Sequence, residues 1–159
     1  DVKFAETVLD WFKEGGFDRL FVIDGIVTGE LGDKEIGELF GVSSTQKGRD
    51  RLKAIKVEPV KQGIVAGISG WLLAEGDRRG YDVTALLAEC NPMYPDARAA
   101  AIATEALSDL VDIEIPLNDL MADARKIEDN VRQMFEMSKT LLPPPDAEFE
   151  VDEGDPMIG

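Results

Sequence analysis

The run Tyr81-Asp82-Val83-Thr84-Ala85-Leu86-Leu87-Ala88-Glu89 is the clearest strand in the sequence. An alanine-rich stretch follows, opened by Asp96 as a helix cap and running to about Val111. It sets Ala99, Ile102, Ala103, Ala106, Leu107 and Leu110 on one helical face. A second short apolar run, Arg19-Leu20-Phe21-Val22-Ile23, comes after a helical stripe of Val2, Ala5, Val8, Leu9 and Phe12 that Gly15-Gly16 ends. Continuous apolar strands next to amphipathic helices are the mark of buried, parallel-type strands. The pattern predicts an α/β fold, a mostly parallel sheet flanked by helices.

Between these anchors, Phe40–Ser43 reads as a further strand, and Ser44 or Thr45 as the cap of a basic helix, QKGRDRLKAIK, reaching about Lys56. Gly63–Gly67 is expected to form a strand and Ser69–Arg79 the helix after it. A last, long helix is expected from Leu117 to about Leu142. Along it Leu120, Ala124, Ile127, Val131 and Met134 alternate three- and four-residue steps, the period of a helix–helix seam. Pro143–Pro145 stop it, so residues 1–142 form one domain and 143–159 a disordered acidic tail. The chain opens on Asp1 without a methionine, as expected of an internal start.

The absence of histidine removes Ser-His-Asp and Cys-His mechanisms and histidine zinc sites. A single cysteine, Cys90, excludes an internal disulfide and fits a reducing compartment, so the cytoplasm is the expected location. No apolar run approaches the roughly 18 residues of a membrane span. Net charge is −15, and the last 17 residues carry six acids and no base. Such a surface does not suit nucleic acid, which needs a positive footprint. It suits plain solvation or steering toward a basic partner.

Three features invite chemistry. Gly63, Gly67 and Gly70 suggest a phosphate loop, but no Gly-Lys-Ser/Thr follows. Ser69 resembles a nucleophile elbow, but Gly70 follows it directly and no histidine activates it. The plainer reading is a tight turn whose glycines let a helix pack closely. Glu89 and Asp96 flank the edge where α/β folds bind ligands, and could form a carboxylate pair. The simpler reading is that Asp96 caps its helix and Arg98 pairs with Glu89 or another nearby acid. Cys90, beside an acidic residue, reads as a small packed side chain. Pro92-Met93-Tyr94-Pro95 forms a rigid apolar bump fit for contact with another chain.

The run GIVAGISGWLLAEGDRRGYDVTALLAECNPMYPDARAAAIATEALSDLVDIEIPLNDL resembles the proteasome assembly chaperone 2 family in its archaeal form. The resemblance rests on the Gly-rich "GISG" turn, the "LLAE" strand end, the proline-bearing turn and "PDARAA"; it extends over about Phe17–Phe135 and lacks the family's N-terminal strands. It implies a fold similar to purine nucleoside phosphorylases, without catalysis or cofactor. It further implies a homo-oligomer that binds proteasome core particles or α-subunits. Some family members dock through a mobile C-terminus ending hydrophobic–tyrosine–any residue. Here the tip is Met157-Ile158-Gly159, with Ile158 in place of the tyrosine. On this reading Pro92–Pro95 and the seam of Leu120, Ile127, Val131 and Met134 serve self-association. The competing expectation is an enzyme, under an older ATP-grasp label, with a ligand pocket formed by Gly67, Ser69, Gly70, Glu89 and Asp96.

Overall fold

Strand order places the Val83–Glu89 run at the centre of a four-stranded sheet, where all seven of its residues are buried. The computed structural model describes residues 2–27, 37–61, 63–92 and 95–141. In chain order the elements are α1 (Val2–Glu14), β1 (Leu20–Ile26), β2 (Leu39–Ser43), α2 (Gln46–Ala54), β3 (Glu58–Pro59), α3 (Gly67–Arg79), β4 (Val83–Glu89), α4 (Ala97–Val111) and α5 (Asn118–Leu141).

The sheet order is β1-β4-β2-β3. β1 runs parallel to β4 in the register Leu20↔Val83 to Ile26↔Glu89. β2 runs antiparallel to β4, Leu39↔Ala88 to Ser43↔Thr84, and parallel to β3. The α/β architecture with flanking helices is as expected, and of the three strand pairings two are parallel and one is antiparallel.

Alternation along β4 divides the core in two. Val83, Ala85 and Leu87 join Ala5 and Leu9 of α1 and Leu72 and Leu73 of α3 on one face. Leu86 meets Leu52 of α2 and Ala106 and Leu110 of α4 on the other, and Ala88 meets Ala99 and Ala103. Each fully buried side chain such as Leu9 or Leu86 contributes about 1.5–3 kcal/mol. Serines seal the antiparallel seam, where buried polar groups need partners. Ser43 Oγ donates to the Val83 carbonyl at 3.0 Å, and the Ser44 hydroxyl accepts the Val83 N–H at 2.9 Å.

Three expectations change. The segment Gly63–Ala66 is not a strand: Ile64 is 95% exposed, and the segment pairs with none of the described strands. The outer strand is instead the two-residue β3, which pairs Glu58 and Pro59 with Phe40 and Gly41. α3 starts two residues before the expected Ser69, at Gly67. α2 ends at Ala54, with Lys56 just beyond it in the left-handed region at φ 61°.

Candidate functional site

The expected ligand edge lies where the parallel strands β1 and β4 end, at Ile26 and Glu89. Three polar side chains gather there on the α1–α3 face. Ser69, 1% exposed in the first turn of α3, donates its hydroxyl to the Asp24 carboxylate at 2.5 Å. Glu89, 4% exposed, accepts the Glu38 N–H at 3.1 Å, while its own N–H donates to the Glu38 carbonyl at 2.8 Å. Asp24 and Glu38 were missed by sequence reasoning. They reach their partners across 45 and 51 residues, and only the sheet register reveals that.

The glycines of this turn have steric reasons. Gly67 opens α3 at φ 70°, a left-handed conformation that costs a side chain. A Cβ on Gly70 would lie 2.0 Å from the Val65 carbonyl oxygen, so only glycine lets the chain turn back against the helix. A left-handed backbone accounts for Gly67 and close packing for Gly70, without a phosphate.

Asp96 sits on the opposite face, capping α4. Its Oδ1 accepts the N–H groups of Arg98 at 3.0 Å and Ala99 at 3.1 Å, and its Oδ2 accepts that of Asn91 at 3.2 Å. The Arg98 guanidinium lies 3.6 Å from the same carboxylate, whose side chain is 6% exposed. Period-2 alternation sends Glu89 to the Leu87 side and Cys90 to the Ala88 side with Asp96. The sheet thus stands between the two acids.

Cys90 packs against Ala88 and the alanines of α4. Burial pushes its thiol above the ordinary range, and the charges of Asp96 and Asp24 add to the effect. That favours a protonated thiol, the less nucleophilic form. Among the described residues no group of three or more His, Cys, Asp or Glu is placed to hold a metal ion. Nor is any described helix long and apolar enough to cross a membrane.

The candidate contact surfaces fall elsewhere. Pro92 and Pro95 are exposed, while Met93 and Tyr94 lie outside the described residues. α5 packs against α4 and carries Ile127 at 57% exposure and Met134 at 70%, with Val131 half-buried between them. Met137 adds a further apolar side chain that the reading of the seam did not include. The side chain of Leu120 and the tip Met157–Gly159 lie outside the described residues.

Comparison with known proteins follows this geometry. The sequence model of the PAC2 family matches residues 1–135. An uncharacterized Methanocaldococcus jannaschii protein is 27% identical over 154 residues, 89% of this chain and 62% of that protein. The crystal structure of Pyrococcus furiosus PbaA, an archaeal homolog of proteasome-assembly chaperone, superposes with a TM-score of 0.72 at 26% identity, over 88% of this chain and 62% of that one. Pyrococcus furiosus PbaB, an archaeal proteasome activator, shares the fold with a TM-score of 0.69 at 23% identity, over 84% of this chain and 57% of that one. The chain therefore spans about three fifths of the length of these relatives. With the match running through every element from α1 to most of α5, the chain belongs to the PAC2 family.

Proposed function

We propose that this chain, a proteasome-assembly-chaperone homologue, self-associates through α5 and engages proteasome core particles or α-subunits by binding alone. The observation that carries the reading is the apolar stripe of α5. Ile127 and Met134, one heptad apart, are more than half exposed on a 24-residue helix, in a chain of net charge −15. Exposed apolar residues at that period are the side of a seam awaiting a second helix. Kinship with PbaA, a homolog of proteasome-assembly chaperone, supplies the class of partner.

The strand-end residues support binding over catalysis. The Ser69 hydroxyl donates a hydrogen bond to the Asp24 carboxylate and has no histidine to activate it, and Asp96 is committed to three backbone N–H groups. The tip Met157-Ile158-Gly159 serves as a docking arm in this reading, with Pro92–Pro95 at the subunit contact. Several tails on one oligomer would compensate for the missing tyrosine, since linked sites gain a factor of about 10²–10⁴.

Two measurements test this. Sedimentation velocity should show an oligomer that Ile127→Glu with Met134→Glu reduces to monomer; a monomeric wild type refutes self-association. Surface plasmon resonance on archaeal 20S particles should show binding that deletion of residues 157–159 weakens at least tenfold. No binding by either form sinks the proteasome reading.

A further inference from the structure

The sheet ends at β1, whose outer edge has no partner among the described strands. The pleat divides its backbone groups. Leu20 donates its N–H to the Asp82 carbonyl at 2.9 Å, and the Ile26 carbonyl accepts the Cys90 N–H at 3.0 Å, so the even-numbered residues bond inward to β4. Phe21, Ile23 and Gly25 therefore turn their N–H and C=O groups outward. One of these groups is already met, because Asp24 Oδ1 accepts the Gly25 N–H at 2.9 Å. Phe21 and Ile23 keep both of theirs open among the described residues. The charged side chains beside this edge are held within their own chain. Arg19 donates to the Leu110 carbonyl at 3.0 Å, and Asp24 accepts the Ser69 hydroxyl.

The helix above the edge is apolar on the same side. Asp10 pairs with Arg79 at 3.1 Å and the charge of Glu6 reaches Arg78, so these two acids mark the flank of α1 that faces α3. Phe4, Val8 and Trp11, spaced i, i+4 and i+7, form the other flank. That flank overhangs the free edge, since α1 packs on Leu20 and Val22 of the outermost strand while α3 lies toward β4. Phe4 is 62% exposed and Trp11 57%, and Trp11 rests on Phe17 with ring centroids 4.6 Å apart. Ile23, 48% exposed, adds an apolar side chain on the opposite face of the sheet.

Edge and helix suit a second copy of this chain. In an antiparallel pair centred on Val22, Phe21 would exchange two hydrogen bonds with Ile23 of the partner subunit, and Ile23 two with Phe21 of the partner subunit. That register uses the four open groups of each copy and leaves the Gly25 N–H with Asp24. α1 spans about 18 Å and β1 about 20 Å, and Phe12 lies beside Tyr81 near the start of β1, so the midpoints of helix and strand roughly coincide. The same axis then passes near Val8 of both helices and sets Phe4 of each copy by Trp11 of the other. At about half exposure, Phe4, Trp11 and Phe17 present about 300 Å² per copy. With Ile23, Val27 and the two backbone edges, a pair of copies buries about 1,000 Å², where specific interfaces begin and contacts are still weak.

We infer that the free edge of β1 and the aromatic flank of α1 form a self-contact in which two sheets join antiparallel at Val22. It is distinct from the α5 seam and weaker, with a Kd of about 0.1 mM, so alone it does not hold a dimer at micromolar concentration. It depends neither on α5 nor on proteasome binding, and it is tested with the α5 stripe disabled.

The test starts from the full chain carrying Ile127→Glu/Met134→Glu. Sedimentation equilibrium should show mostly monomer at about 10 µM and mostly dimer at about 1 mM. Ile23→Lys, and separately Phe4→Glu/Trp11→Glu, all at exposed positions, should each keep the chain monomeric at the higher concentration, with circular dichroism confirming the fold. Val22→Cys in a Cys90→Ala background should close a disulfide between copies on mild oxidation, because Cα atoms paired at the axis lie about 4.5 Å apart. Ile26→Cys, away from the axis, should not. A chain still monomeric at about 1 mM, or a dimer that both sets of β1 and α1 substitutions leave intact, overturns the inference. A chain that stays oligomeric at about 10 µM counts against the α5 seam instead, and the β1 and α1 substitutions must then dissociate it for the edge contact to stand.

Discussion

Replacing Asp96 separates its structural role from a chemical one. In the folded chain the carboxylate accepts three backbone N–H groups, two at the start of α4 and one from Asn91 in the preceding turn. Loss of an N-cap side chain to alanine costs about 0.5–2 kcal/mol. The further bond from Asn91 ends on a charged, mostly buried acceptor, and such bonds contribute about 1.5–3 kcal/mol. Asp96→Ala should therefore lose about 2–4 kcal/mol. For a chain of this size that lowers the melting temperature by roughly 5–15 °C. Asp96→Asn keeps the cap, because asparagine caps about as well as aspartate, but turns an N–H donor toward Asn91. It should fall between, at about 1–2 kcal/mol. Urea unfolding followed by circular dichroism measures all three proteins. An alanine variant within about 0.5 kcal/mol of wild type, or an asparagine variant equally damaged, would refute the three-bond account.

Other consequences follow from neighbouring features. A Cβ on Gly48 would sit 1.9 Å from Ser43 Oγ and 2.9 Å from Thr84 Oγ1, so Gly48→Ala should lose a net ~1–2 kcal/mol despite the helix-propensity gain; calorimetry checks the sign. The hydrogen bond from Arg78, helped by Arg79, holds the Glu75 carboxyl down to about 2. Because that folded-state value is depressed, its stabilising contribution is present above the ordinary glutamate range near pH 4.3 and is lost as pH falls toward 2. A carboxyl-carbon NMR titration should show this, and Arg78→Ala should move the midpoint up. Cys90, raised by burial first and then by Asp96 and Asp24, should react with iodoacetamide at pH 8.5 more slowly than an unstructured thiol. Asp96→Asn should quicken that reaction, and no change would remove Asp96 as a cause.

What could be read in the sequence was what local chemistry dictates. β4 was legible because Val83–Ala88 is unbroken by charge, and the start of α4 because an aspartate precedes a periodic alanine face. The seam period of α5 was visible for the same reason. Gly63–Gly67 misled because an apolar run signals a strand only when a neighbour supplies its ladder. The true outer strand, Glu58–Pro59, carries a charge and a proline and gives no local signal. Strand direction was equally hidden: the antiparallel β2–β4 pairing depends on the route of the chain between them. The pairing of Ser69 with Asp24, and the sheet standing between Glu89 and Asp96, arise from register and pleat. Neither is written in any short stretch of residues.

The position of β4 has a consequence for how the chain is made. Both of its sheet neighbours, β1 and β2, precede it, β1 by more than 50 residues. Until β4 leaves the ribosome, Leu20–Ile26 and Leu39–Ser43 are two strands without the partner that lies between them. At about 5–20 residues per second that interval lasts roughly 3–12 s for β1, a window in which its apolar face is open to chance pairing. α4 and α5 emerge only after the four strands have been made, so the helix that covers the Leu86 face of the sheet is added last.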